Sequence, residues 1–172
     1  MEEKLIFTIA KKNEFSIALG LYQQAAKRLS QKNLSQWNYW SDPPADKLAW
    51  VRQGIENGEF VFVYNQTNDL VGMFRLMESD TLYWEQKGTD KGVRYIHSLV
   101  ISDKYTGTGW GQAIMKRIIT NLKSKKIKAL RLDCEAWNSK LCAYYEAFGF
   151  QKTGEKTTPY STNNLYELSL CP

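Results

Sequence analysis

One histidine, His97, stands among 172 residues. A lone imidazole cannot supply clustered zinc ligands. Cys134, Cys142 and Cys171 follow no metal spacing, so no metal is expected. Their odd number also argues against a disulfide framework. No apolar run approaches membrane-span length, and the opening MEEKLIFTIAKKNEF lacks the apolar core of a signal peptide. The expectation is a cytoplasmic protein with no membrane association. Repeats, low-complexity tracts and linkers are missing too, which leaves one domain over residues 1–172 with a substantial core. The 43% hydrophobic and 24% charged residues suit a globular protein.

The informative stretch is YIHSLVISDKYTGTGWGQAIM, from Tyr95 to Met115. Tyr95–Ile101 is mostly apolar and carries the β-branched Ile96, Val100 and Ile101, which predicts a buried strand. Ser102, Asp103 and Lys104 form a turn. Gly107, Gly109 and Gly111 then alternate with Thr106, Thr108 and Trp110. Beyond Gly111 the period becomes helical, with Ile114, Met115, Ile118, Ile119 and Leu122 on one face and Gln112, Lys116, Arg117, Thr120 and Lys123 on the other. A helix start offers unpaired N–H groups and the positive end of a dipole, and glycines let an anion approach. Strand, glycine turn and helix together point to a main-chain phosphate cradle. No Lys-Ser/Thr follows the last glycine, so this is not a nucleotide P-loop. The G-x-G-x-G spacing likewise differs from the dinucleotide fingerprint.

Elsewhere the patterns alternate between strand and helix. Residues 4–10 read as a strand, and Asn13 as the cap of a helix running to Ser30, with Asn33 as a left-handed terminus. The cluster Trp37, Tyr39 and Trp40 precedes Asp42-Pro43, which signals a second helix closed by Asn57-Gly58. Phe60–Tyr64 and Leu70–Met77 form a hairpin. Leu82-Tyr83-Trp84 either extends that sheet or starts a loop, and Lys87–Gly92 is a loop. Ala129–Ala136 is a strand. Asn138 and Ser139 cap a short helix ended by Gly149, and Phe150 begins another strand. Residues 155–163 read as an exposed loop before a last strand at Leu165–Leu170. The fold class is therefore mixed α/β.

Thr106-Gly107-Thr108-Gly109-Trp110-Gly111 resembles the acetyl-CoA signature of the GNAT family, the GCN5-related N-acetyltransferases, with Thr106 where the family usually has Gln or Arg. The run from Asn138 to Phe150 resembles the family's second signature, matching at Asn138, Tyr145, Gly149 and Phe150, with Leu141 in place of the usual Ala. Leu132-Asp133-Cys134 and Tyr95-Ile96-His97 fit one branch of the family. The resemblance is strong from Tyr95 to Gly154 and weaker over residues 1–90. It implies a largely antiparallel twisted sheet of about seven strands with about four helices, of the acyl-CoA N-acyltransferase type, splayed between the strands at Tyr95–Ile101 and Ala129–Ala136.

Amide formation from a thioester requires that the thioester be held, its carbonyl polarised, the amine deprotonated and the thiolate protonated. By resemblance, Leu99, Val100 and Ile101 pair with the pantetheine arm of acetyl-CoA. Thr106, Gly107, Thr108, Gly109, Trp110, Gly111 and Gln112 hold the pyrophosphate, and Asn138 touches the arm. Tyr145 is the implied general acid, since a phenol stays protonated at neutral pH; without the motif it would read as core. His97 is a candidate base on the central strand, although a lone strand histidine also reads as a packed residue. Glu135, Glu85 and Asp133 are the alternatives, as is a mechanism with no dedicated base.

Trp37, Tyr39, Trp40 and Trp84 either pack between elements or wall an acceptor pocket. The net charge of +5 concentrates at Lys123, Lys125, Lys126 and Lys128, which is ordinary for a helix end. The phosphates of CoA suffice as its partner, so no nucleic acid is expected. The expectation is an N-acetyltransferase acting on a primary amine of a small molecule or peptide, as monomer or homodimer. The competing expectation is a non-catalytic acyl-CoA-binding or regulatory module on the same fold.

Overall fold

The structure is a computed structural model that describes residues 4–171. In chain order its elements are β1 (Ile6–Ile9), α1 (Phe15–Gln31), α2 (Ala45–Glu56), β2 (Phe60–Tyr64), β3 (Leu70–Met77), α3 (Thr81–Trp84), β4 (Val93–Ile101), α4 (Trp110–Ser124), β5 (Ala129–Glu135), α5 (Ser139–Glu146), β6 (Gln151–Thr157) and β7 (Thr162–Ser169). The strands form one open seven-stranded sheet in the order β1-β2-β3-β4-β5-β7-β6. β1–β2, β2–β3, β5–β7 and β6–β7 pair antiparallel, and β4–β5 pair parallel. This is the mixed, largely antiparallel sheet expected from the sequence. The parallel ladder joins only Val93 to Ala129, Arg94 to Leu130 and Tyr95 to Arg131.

The chain divides into two compact units. The first runs up to Arg75 and includes Ser98–Arg117; the second comprises Leu76–His97 and the chain from Ile118 onward. In the first, α1 buries Ala18, Leu21, Tyr22, Ala25 and Ala26, the stripe that a 3.6-residue period puts on one face. They pack with Val51 and Ile55 of α2, Phe60 and Phe62 of β2, Met73 of β3 and Val100 of β4. In the second, Trp84, Val93, Tyr95 and Ala129 form a smaller core.

Several boundaries differ from expectation. α1 is capped at Glu14 rather than Asn13, because a short 3-10 turn at Lys12–Glu14 precedes it and the Lys11 N–H donates to Glu14 Oε2 at 2.7 Å. α2 starts two residues beyond Pro43, capped at Pro44. Leu82–Trp84 neither extends the sheet nor starts a loop. It lies in a one-turn helix, α3, whose cap is the Asp80 carboxylate accepting the Tyr83 N–H at 3.2 Å, which makes five α-helices among the described residues. The expected loop at 155–163 is mostly strand. β6 and β7 pair from Thr157 and Thr162 inward, and their ladder supplies the hydrogen bonds that polar residues there need. Asn33 does take a left-handed conformation, φ 57°.

Candidate active site

The turn between β4 and α4 is built from hydrogen bonds to the main chain. The Ser102 N–H donates to the Val71 carbonyl at 2.8 Å and its hydroxyl to the Leu70 carbonyl at 3.0 Å. Arg28 donates to the Ile101 carbonyl at 2.8 Å and pairs with Asp103. The Tyr105 hydroxyl donates to Asp69 at 2.7 Å, and the carboxyl of Asp69 is held down to about 2 by the bonds from Tyr105 and Lys104. Thr106 and Thr108 turn their hydroxyls back onto the carbonyls of Ser102 and Tyr105, at 3.1 and 2.6 Å. The Thr106 side chain is thus spent on the loop.

What this scaffold displays is backbone. Thr106 to Gly109 are exposed. Gly107 and Gly109 take φ 78° and 87°, where an L side chain is strained, and a Cβ at either would meet nothing within 4 Å. Trp110, buried against Tyr105, anchors the start of α4. The Ala113 N–H returns to the Gly109 carbonyl at 3.1 Å, so the N–H groups of the first turn precede the helical ladder. Open space, two left-handed glycines and a helix start make a site that fits a phosphate group.

Ser98 adds a feature absent from the sequence reading. It takes φ 58° in the middle of β4, a conformation uncommon for a residue other than glycine. The Tyr22 hydroxyl donates to its Oγ at 2.5 Å, and Tyr22 itself is buried and stacked on Trp40 at 3.8 Å. A strained residue held this firmly in the central strand, just before Leu99, is the kind found at functional sites.

In the second unit, the next same-face positions beyond the Tyr95–Arg131 pair are His97 and Asp133, two residues along each strand. They come together. His97 Nδ1 lies 3.4 Å from Asp133 Oδ1, and Nε2 lies 2.8 Å from Asp80 Oδ2. The three side chains are 12%, 7% and 3% exposed. Asn163, which the sequence reading left in a loop, donates to Asp133 Oδ2 at 2.6 Å. Burial raises the affinity of Asp133 for a proton, against the smaller opposite effects of His97 and Asn163. The ligand atoms of Asp80, His97 and Asp133 lie within 4.8 Å of one another, the one group among the described residues close enough to consider for a metal ion. His97 is thus a packed strand histidine with each ring nitrogen facing a carboxylate, and its role as base is taken up below. Asp80 was not anticipated; its only sequence signal is an Asp at the N-cap spacing before Thr81.

Asn138 caps α5, its Oδ1 accepting the Leu141 N–H at 3.0 Å. Tyr145 is half-buried, with its ring against Tyr144 and Phe150, and burial keeps its hydroxyl protonated well above the usual phenol range. Glu135 is half-buried and its carboxyl is likewise pushed up by burial. Glu85 is exposed, and its ion pair with Lys156 at 2.5 Å holds its carboxyl low, which makes it a poor base. Trp40 and Trp84 are 3% and 5% exposed and pack as core, Trp84 beneath the Arg131 guanidinium. That leaves little of either ring to wall a pocket. Trp37 and Tyr39 are only partly buried.

Residues 21–150 match the model of the acetyltransferase (GNAT) family. The chain belongs to that family. An uncharacterized N-acetyltransferase of Bacillus subtilis (strain 168), YesJ, is 25% identical over 145 residues, covering 82% of this chain and 78% of that protein. A GNAT acetyltransferase from Listeria monocytogenes shares the fold with a TM-score of 0.77 at 21% identity, over 96% of this chain and 94% of the other. An N-acetyltransferase from Staphylococcus aureus gives 0.66 at 18%, over 98% and 99%. The GNAT sheet and the acetyltransferase class are thus established for this chain, and no helix among the described residues is long and apolar enough to cross a membrane.

Proposed function

We propose that this GNAT enzyme moves an acetyl group from acetyl-CoA directly to the primary amine of a small molecule or peptide. The observation that carries the reading is the Thr106–Gly109 turn, where left-handed glycines border open space at the start of α4. Acetyl-CoA would supply the activated thioester. The main chain from Thr106 to Gln112 would hold its pyrophosphate, through backbone N–H groups and the positive end of α4. Backbone groups of Leu99, Val100 and Ile101 would align the pantetheine arm, with one N–H polarising the carbonyl. Asn138, oriented by its capping bond, would contact the arm. Tyr145 would give its proton to the leaving sulfur, a role taken from its place in the Asn138–Phe150 run; burial, which raises its proton affinity, makes it a reluctant donor until the thiolate develops. Trp37 and Tyr39 remain as aromatic walls for an acceptor.

The test is turnover with acetyl-CoA over a panel of primary amines. Tyr145→Phe keeps the ring and should lower kcat by about a hundredfold with little change in acetyl-CoA affinity. Tyr144→Phe, about 100° round the helix, should stay near wild type. Equal rates for wild type and Tyr145→Phe, where chemistry limits turnover, would return Tyr145 to the core. Acetyl-CoA binding without turnover on any amine would favour the non-catalytic alternative.

A further inference from the structure

We propose that Asp80 is a positioning residue that makes His97 Nδ1 the proton-accepting atom of this enzyme, with the nearby Asp133 carboxylate favouring the protonated ring. The proposal rests on the acetyl-transfer reading above.

Asp80 is fixed from several directions. Its N–H donates to the Gly88 carbonyl at 2.8 Å, its carbonyl accepts the Trp84 N–H at 3.1 Å, and its Oδ1 caps α3. Gly88 is pressed so closely on this residue that a Cβ there would stand 2.2 Å from the Asp80 carbonyl oxygen. Oδ2 is thereby held against His97 Nε2 at 2.8 Å. An ionised carboxylate only accepts hydrogen bonds, so it requires the proton on Nε2 and leaves the lone pair on Nδ1. That lone pair faces Asp133 Oδ1 at 3.4 Å, a separation too long for a good hydrogen bond. Oδ1 is buried and has no hydrogen-bond partner among the described residues, whereas Oδ2 is held by Asn163.

Two carboxylates and a neutral imidazole place two negative charges where little water reaches. Taking one proton reduces that to one charge, which is the driving force for accepting it. In the step, an N–H bond of the acceptor ammonium breaks and an Nδ1–H bond forms. The amine keeps the electron pair with which it attacks the thioester carbonyl. The titratable groups around the imidazole are Asp80 and Tyr83 from α3, the latter with its ring 5.4 Å away, and Asp133 from β5. Tyr145 of α5 feels the Asp133 charge. A chelated metal would need one donor atom from each of the three residues to point at a common centre. Here the two carboxylates face different nitrogens, which is what a relay needs; a metal ion held by one donor atom from each residue is the competing occupant, and the zinc titration below separates the two.

Because His97 is the only histidine, 15N-histidine labelling reports one ring. From about pH 5 to about pH 10, a span bracketing the ordinary imidazole range, wild type should keep its Nε2 proton and lose only that on Nδ1. Asp80→Asn preserves the α3 cap, since Asn also accepts there. Its amide would donate to Nε2 and move the neutral ring's proton to Nδ1. With acetyl-CoA and a reactive primary amine, kcat should fall by about a hundredfold at unchanged KM for acetyl-CoA. A wild-type neutral ring protonated on Nδ1 overturns the proposal, as does an Asp80→Asn protein with the wild-type tautomer and kcat. Loss of a ring proton on adding equimolar ZnCl2 would also overturn it, in favour of a metal site. The ring is read without turnover, so failure to acetylate any amine counts against the acetyl-transfer reading and leaves the Asp80–His97 assignment to the spectra.

Discussion

The glycine turn before α4 and the cluster around His97 are opposite solutions to handling charge. The turn is exposed, made of main chain and contributed by one continuous stretch from Ser102 to Trp110. The cluster is buried, made of side chains and gathered from α3, β4 and β5. An exposed backbone site can take a large, multiply charged group without paying to dry its own donors. A buried carboxylate site starts from unfavourable desolvation, and so gains strongly when one proton arrives. In the proposed function the turn holds the donor and the cluster transfers a proton.

Substitutions at one glycine in each region should separate the two roles. Gly109→Val has the largest expected effect. It puts a β-branched residue at φ 87° and a side chain into the open space of the cradle. Calorimetry should show acetyl-CoA affinity reduced at least about a hundredfold, a loss of about 2.7 kcal/mol, with the fold intact by circular dichroism. Unchanged affinity would show that this turn does not hold acetyl-CoA. Gly88→Ala should do the reverse. Its Cβ meets the backbone of Asp80 at 2.2 Å, and overpacking of this kind costs about 1–3 kcal/mol. Thermal stability and kcat should fall while acetyl-CoA affinity stays near wild type; a loss of affinity equal to that of Gly109→Val would mean the two regions are not separable.

The smallest effect concerns pH. Burial raises the proton affinity of Asp133 in the folded state. Stability contributed by that proton is fully present below the unfolded carboxyl's pKa, about 4, and is lost as pH rises through the raised folded value. Asp133→Asn removes this loss. The melting temperature of the variant relative to wild type should therefore increase between about pH 3 and about pH 7. A difference that does not change with pH would show that the carboxylate is not penalised by its surroundings.

Much of the first region was legible because its information is local. Gly107 and Gly109 next to a β-branched strand and an amphipathic helix already specify a left-handed turn at a helix start. Asn138 announces its cap by standing just before α5. The second region was half legible. His97 and Asp133 were both candidates, but their meeting follows from a parallel register that pairs Tyr95 with Arg131 and so brings the residues two further along face to face. Asp80 carried no signal beyond a capping residue, and Trp84 beside it reads as an aromatic wall until the Arg131 guanidinium is seen over its ring.

By itself, then, the chain determined its alternation of strands and helices, the glycine turn and the α5 cap, because periodicity and backbone conformation depend on neighbours a few residues away. Only the tertiary structure decided that Asp80, His97 and Asp133 share one buried site, that Ser98 is strained in mid-strand and that Trp40 and Trp84 belong to the core. Strand register and the docking of a single-turn helix join residues 17 to 53 positions apart, and no local pattern encodes such pairings.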